Sequence, residues 1–351
     1  MTARHHIAGW SLIELMVAMV IALFILLGVA AVFQSNARVT RTAEALAAMQ
    51  NATQAAGTTM GRALTTAGFM GCSSSLTANS ILNPPTGALN DYTRAIMGYD
   101  GNPSGTTLVV NPAATSGTAA VWSPALPASL QGQVAPGSDV VITAGAAPGA
   151  QPVVATLITT GASSLDVQNA TPFQAGTVAA VSDCAKATAF EVTGVSGLTL
   201  THATGGAAPG NRVSAFSPAY PAGAQVMPLQ QTAFFLAPGF DGQPMLDEAV
   251  NVAGAWQVNP LLPDVDALRI QYGLDQGGAI TAYVPASQVP NWNEVGAVRV
   301  ALLVAGPPAS WTPTTASTTT WNLLDESVQL PNDNRLHHVV LFAFNIRNQT
   351  P

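Results

Sequence analysis

Between Trp10 and Phe33 the chain runs for 24 residues with a single charge, Glu14. As a helix this run is roughly 36 Å long at about 1.5 Å per residue. A bilayer's hydrocarbon core is about 30 Å thick. No other feature limits the fold as strongly, because a soluble core of ordinary size cannot hide such a run. A secretory signal has a shorter apolar stretch followed by a small-residue cleavage site. Here helical periodicity continues past Phe33, which marks a retained membrane helix. Arg4, the initiator amine, His5 and His6 precede the run and favour a cytoplasmic N-terminus. Arg38 and Arg41, just beyond its other end, weaken that charge argument. The large remainder, with two cysteines and Lys186 as its only lysine, tips the balance outward.

Past Phe33 the pattern turns amphipathic. Val39, Ala43, Leu46, Met49, Thr53, Ala56, Met60, Ala63 and Ala67 recur at intervals of three and four, with Arg38, Arg41, Glu44, Asn51, Gln54 and Arg62 elsewhere. This predicts a helix with one weakly apolar face. Gly57 and Gly61 each lower its stability by about 1 kcal/mol relative to Ala. The helix is expected to end near Gly68. Continuous from Trp10 it would approach about 90 Å, a length that persists only when bundled with other chains or laid along its own domain.

The remainder reads as short strands. "SDVVITAG", "AFEVTGV", "ALRIQYGLD", "GAVRVALLV" and "HHVVLFAFNIR" are β-rich runs between Gly, Pro and Asn turns. In "GAVRVALLV", Val298, Val300, Leu302 and Val304 alternate with Arg299, Ala301 and Leu303, which predicts one buried and one mixed face. The fold class is α+β: a long N-terminal helix packed on antiparallel sheet. The residues from 69 to 351 exceed one simple sheet, so two sheet regions or large insertions are expected, with a division near 187. The Thr-rich "WTPTTASTTTW" (311–321) reads as a surface loop.

Only 8% of the chain is charged, against roughly 25% in ordinary domains. The net charge of −7 and singly scattered arginines exclude a typical nucleic-acid binder, which needs basic clusters. Export makes a Cys72–Cys184 disulfide the better reading of two otherwise ambiguous cysteines. It would close a loop of more than a hundred residues and add about 4–5 kcal/mol in the chain-entropy model.

Nothing in the sequence spells an enzyme or calls for a cofactor. No G-x-S-x-G, Walker A, HExxH or dinucleotide fingerprint occurs. His202 reads as a hydrogen-bonded structural residue. His337 and His338 face opposite sides of a strand and cannot chelate one metal together. Asp264 and Asp266 would share a face, but no Ca²⁺-type loop surrounds them. Asp100-Gly-Asn-Pro reads as a turn. Trp256 and Trp292 fit a core or an interface as well as a carbohydrate platform.

The stretch "AGWSLIELMVAMVIALFILLGVAAVF" resembles the N-terminus of type IV prepilins and pseudopilins. Gly9, Trp10, Leu12, Ile13 and Glu14 match that pattern position by position, with Trp10 in place of the usual Phe. "GSDVVIT", "AVSDC", "LTH", "GAQVMPL", "VDALRIQYGLD", "WNEVGAVRVALLV" and "RLHHVVLFAFNIRNQTP" follow in order. Together they resemble the PilW group of minor pilins. The resemblance implies a leader (1–9) cut between Gly9 and Trp10 by a prepilin peptidase, and methylation of the new amine. It implies a membrane part (10–33), an amphipathic part (34–68) and a periplasmic β-rich domain (69–351). It further implies an inner-membrane subunit that passes to the pilus tip. Its partners there are other minor pilins, the major pilin, the assembly platform, membrane lipid and a tip adhesin. The type II secretion pseudopilus is the alternative system, and a membrane-anchored binding module the alternative class. Glu14 is the expected assembly residue. An unpaired charge in lipid costs about 3 kcal/mol or more, and a neighbouring chain's terminal ammonium would offset it. Mass spectrometry of the mature chain should find an N-terminus at methylated Trp10; a chain still starting at Met1 contradicts the leader assignment.

Overall fold

The structure, a computed structural model, describes residues 11–71, 77–85, 89–110, 121–149, 152–217, 219–239, 242–252, 254–307 and 318–348. One helix, α1 (Leu12–Thr65), is followed by β1 (Thr77–Ser80), β2 (Ile96–Tyr99), β3 (Leu108–Val109), β4 (Val140–Ala146), β5 (Val153–Val154) and β6 (Ser164–Asp166). Next come β7 (Val178–Ser182), β8 (Lys186–Glu191), β9 (Gly194–Ser196), β10 (Thr199–Thr201), β11 (Gln225–Pro238), β12 (Pro244–Val252) and β13 (Ala255–Leu262). The last are β14 (Val265–Asp275), β15 (Ile280–Val284), β16 (Val295–Ala305), β17 (Thr318–Leu323), β18 (Glu326–Pro331) and β19 (His337–Asn345). The fold is α+β: one long apolar helix laid on largely antiparallel sheets.

A nine-stranded sheet is organised around β11. The first residues of β11 pair with β7 and later ones with β4, while β12 flanks its second half. Pro228 is the last residue opposite β7 and Leu229 the first opposite β4. A proline cannot donate to a ladder, so it suits the point where a strand changes partner. The division expected near 187 falls inside β8, which pairs with β7 and β1 in this same sheet. A second sheet has the order β15-β14-β16-β19. Two three-stranded sheets complete the domain, β6-β10-β9 and β17-β18-β3. The expectation of two sheet regions is thus exceeded, because both large sheets carry small ones on them.

The helix bridges the two large sheets. Met49, Ala56, Met60, Ala63 and Leu64 share one core with Phe234 and Leu246 from the first, and with Ile270, Val300 and Leu302 from the second. Met60 and Leu64 are fully buried, each contributing about 1.5–3 kcal/mol. The helix ends at Thr65, and Gly68 with φ +77 turns the chain so that its N–H reaches the Ala144 carbonyl of β4 at 2.8 Å. Two expectations change here. β16 is buried on both faces, because the β17–β18 hairpin places Leu323, Val328 and Leu330 over Ala301 and Leu303. Of the Thr-rich stretch, Thr318–Trp321 belongs to β17, while 311–317 lies outside the described residues.

Gly57 and Gly61 are contact points as well as weak helix positions. A Cβ on Gly57 would stand 2.5 Å from the Phe342 ring, and one on Gly61 2.8 Å from the Phe344 ring. The two rings stack on each other with centroids 5.9 Å apart. Two residues of β19 thus advance beside four of α1, and Asn348 continues the series by bonding the Ala67 carbonyl at 3.1 Å. β19 therefore runs parallel to the helix. Gly57→Leu should lower stability by about 1–3 kcal/mol through overpacking, measured by denaturant unfolding of the detergent-purified chain; an unchanged midpoint contradicts the contact.

Candidate functional site

Glu14, the residue expected to act in assembly, lies in the first turn of α1. Ser11 caps the helix: its Oγ accepts from the Glu14 N–H at 3.2 Å, and a Glu14 carboxylate oxygen accepts from the Ser11 N–H at 3.0 Å. This reciprocal capping box satisfies donors that a helix start leaves open. Within a single chain, then, Glu14 has a local hydrogen bond. Gly9 and Trp10 lie outside the described residues.

From Leu12 to Phe33 every residue of the helix is exposed. Leu12 is 79% exposed and Phe33 71%. It is long and apolar enough to cross a membrane. The bare stretch continues through Arg38, Val39, Arg41 and Glu44, and burial begins at Ala45. The predicted stripe is buried at Met49, Thr53, Ala56, Met60, Ala63 and Ala67, whereas Val39, Ala43 and Leu46 are exposed. The apolar face continues past the point where the chain's own domain ends. One helix thus presents two surfaces, one sunk in the β domain and one bare for about 50 Å at the standard rise.

The other candidate residues are scattered and engaged elsewhere. Cys184 has φ +69 in the turn between β7 and β8; Cys72 lies outside the described residues. His202 is fully buried against the rings of Phe190 and Phe216. Among the described residues neither ring nitrogen meets the strict geometry of a hydrogen bond. Burial is the largest influence and pushes its pKa down to about 4, against backbone hydrogen bonding from Ser214 and from His202 itself. His337 lies 3.0 Å from Asp266, and the neighbouring His338 is exposed. Asp264 pairs with Arg335 and so does not act with Asp266. His337 and Arg335 border an open hollow of about 270 Å³ beside Trp321, and each is paired with a carboxylate. Among the described residues no group of three or more His, Cys, Asp or Glu is placed to hold a metal. Trp292 is buried edge-on to Tyr272, and the Trp256 indole N–H donates to Ser129 Oγ at 3.0 Å within the core. Asp100 does form a turn, accepting from the Asn102 N–H at 2.8 Å, and it is buried.

A buried ion network went unread in the sequence. Arg269 on β14 is 2% exposed and pairs with Asp139 at 2.5 Å and with Glu326 at the start of β18. Asp139 also accepts the N–H groups of Gly101 at 2.9 Å and Ile270 at 2.7 Å. Burial raises the Asp139 carboxyl to about 7, outweighing the pull of Arg269. One guanidinium thereby pins two sheets and the segment entering β4 together, using partners 57 and 130 residues away in sequence. No local pattern signals such distant partners.

The helix is half sunk in the β domain and half bare, and its bare half is long and apolar enough to cross a membrane. The model of a family described as type IV pilus-assembly protein W, PilW, matches residues 233–348. The match covers about a third of the chain, at its C-terminal end. It spans the second half of β11 through β19 and includes the strand that seats the helix. A type IV-like pilin from Thermus thermophilus is 23% identical, with 35% of this chain and 67% of that chain covered and a TM-score of 0.25. That likeness is too slight to bear on the fold. No curated protein matches significantly. Arg269→Met should destabilise the domain by about 3–5 kcal/mol, because it strands buried carboxylates. Denaturant unfolding measures this, and a loss below about 1 kcal/mol contradicts the pinning role.

Proposed function

We propose that this chain is a minor pilin that co-assembles with other minor pilins to prime type IV pilus assembly, and then sits at the pilus tip. The observation that carries the reading is the single helix with two surfaces, joined to a PilW-type C-terminal region. In the precursor residues 10–33 stand in the inner membrane with the β domain in the periplasm. Prepilin peptidase removes 1–9, and the new Trp10 amine is methylated. During assembly the bare half exchanges lipid for the helices of the major pilin and other minor pilins on the assembly platform. Glu14 gives up its hydrogen bond to Ser11 for a neighbouring subunit's terminal ammonium. The β domain works without catalysis.

The domain division follows from this reading: 1–9 leader, 10–33 membrane part, 34–68 amphipathic part and 69–351 periplasmic domain. A Cys72–Cys184 disulfide belongs to it as well. Its support is the position of Gly71, where a Cβ would stand 3.3 Å from Ser182, two residues before Cys184. The staple would hold the helix exit against the β7–β8 turn. Clean deletion of the gene should abolish surface filaments, seen by electron microscopy. Complementation with Glu14→Ala should leave the chain in the membrane without restoring filaments. Wild-type filament number after deletion contradicts the assembly role.

A further inference from the structure

The free edge of β19 is open in a way the other long edge is not. Gly306 N–H donates to the Leu336 carbonyl and Ile346 N–H to the Gly296 carbonyl, at 2.7 and 2.9 Å. The register between these bonds runs from Ala305↔His337 to Ala297↔Asn345 without a shift. Backbone bonding alternates along an antiparallel pair. Even-numbered residues therefore bond to β16, while His337, Val339, Leu341, Ala343 and Asn345 turn their N–H and C=O groups to the other side. Among the described residues no strand pairs there.

Proteins ordinarily blunt such an edge with charge, proline or short length. Among the described residues only β13 and β19 are edge strands of eight residues or more. β13 carries Pro260. β19 has nine residues without Pro, Lys, Arg, Asp or Glu, and its Leu341 is 62% exposed.

We propose that this edge accepts an extended, uncharged strand from a different subunit anchored in the same membrane. The inference rests on the assembly role above. The direction of β19 excludes a symmetric pair of this chain. Two copies pairing antiparallel would point their membrane helices in opposite directions, because β19 is parallel to α1. Two copies related by a two-fold along the strands would set each outward N–H against its own mate, donor against donor. A different chain escapes both conflicts. Its strand would lie about 4.8 Å from β19, with its own membrane helix alongside the bare half of α1. Backbone bonds would supply affinity, and Leu341 and Ala343 the side-chain contact.

The test uses the full chain in the piliated cell. A photo-crosslinking residue at Leu341 should give an adduct with another membrane-anchored subunit, identified by mass spectrometry, while the same residue at Val258 on β13 should not. Ala343→Pro removes an outward N–H without touching the β16 ladder and should cut the adduct at least tenfold. Ala343→Glu should do the same by charge, and it serves where proline lowers chain abundance. An adduct only with a second copy overturns the proposal. So does equal yield from Val258, or a yield unmoved by both variants at normal abundance. Filaments lost on deletion with no Leu341 adduct refute the edge alone; filaments kept on deletion refute the assembly role.

Discussion

Phe342 and Phe344 lie against the two places where the buried part of α1 has no side chain. That seat fixes how deep the helix sits, which residues it buries and which way β19 points. A side chain at Gly57 or Gly61 would lift the helix off the sheet and open the shared core around Met60 and Leu64. The cost of two glycines in a helix, about 1 kcal/mol each, is offset by the aromatic area they let in. The same seat ends the burial at Ala45, leaving the preceding helix without a partner in its own chain. Division of labour along α1 is thus a consequence of where the aromatic pair sits.

The domain beneath that seat is held by unlike means. Apolar contact joins the helix to both large sheets, while the Arg269 network joins the four-stranded sheet to the segment before β4 and to the β17–β18 hairpin. A buried ion pair adds little net stability because desolvation consumes most of its attraction. Its effect here is geometric, since breaking either pair leaves a charge without an outlet. Beside the β6-β10-β9 sheet, His202, Phe190, Phe216 and Tyr220 meet through ring contacts.

Much of this was legible in the sequence, and the gaps have causes. The α+β class and the long helix follow from periodicity, which is local information. So does burial of Met49, Thr53, Ala56 and Met60. Periodicity could not say that Val39 and Leu46, on the same stripe, would find nothing to cover them, because that depends on where the β domain stops. It priced Gly57 and Gly61 correctly as helix residues and missed what they admit, since Phe342 comes nearly 300 positions later. Arg269 carries no local mark within the β-rich run "ALRIQYGLD". A hairpin 57 residues on brings Glu326 over it, and contacts of that span leave no trace in local spacing. Glu14 was placed by motif, yet its bond to Ser11 is also a simple capping box, visible as Ser-x-x-Glu before an apolar run.

The account turns on α1 having one surface for its own domain and another for its neighbours. Hydrogen exchange along the helix measures this directly, comparing the detergent-solubilised single chain with assembled filaments. Residues 45–64 should be protected to the level of the β core in both states. Residues 34–44 should exchange freely in the single chain and become protected on assembly. Equal protection of both segments in the single chain, or no change in 34–44 on assembly, would contradict it.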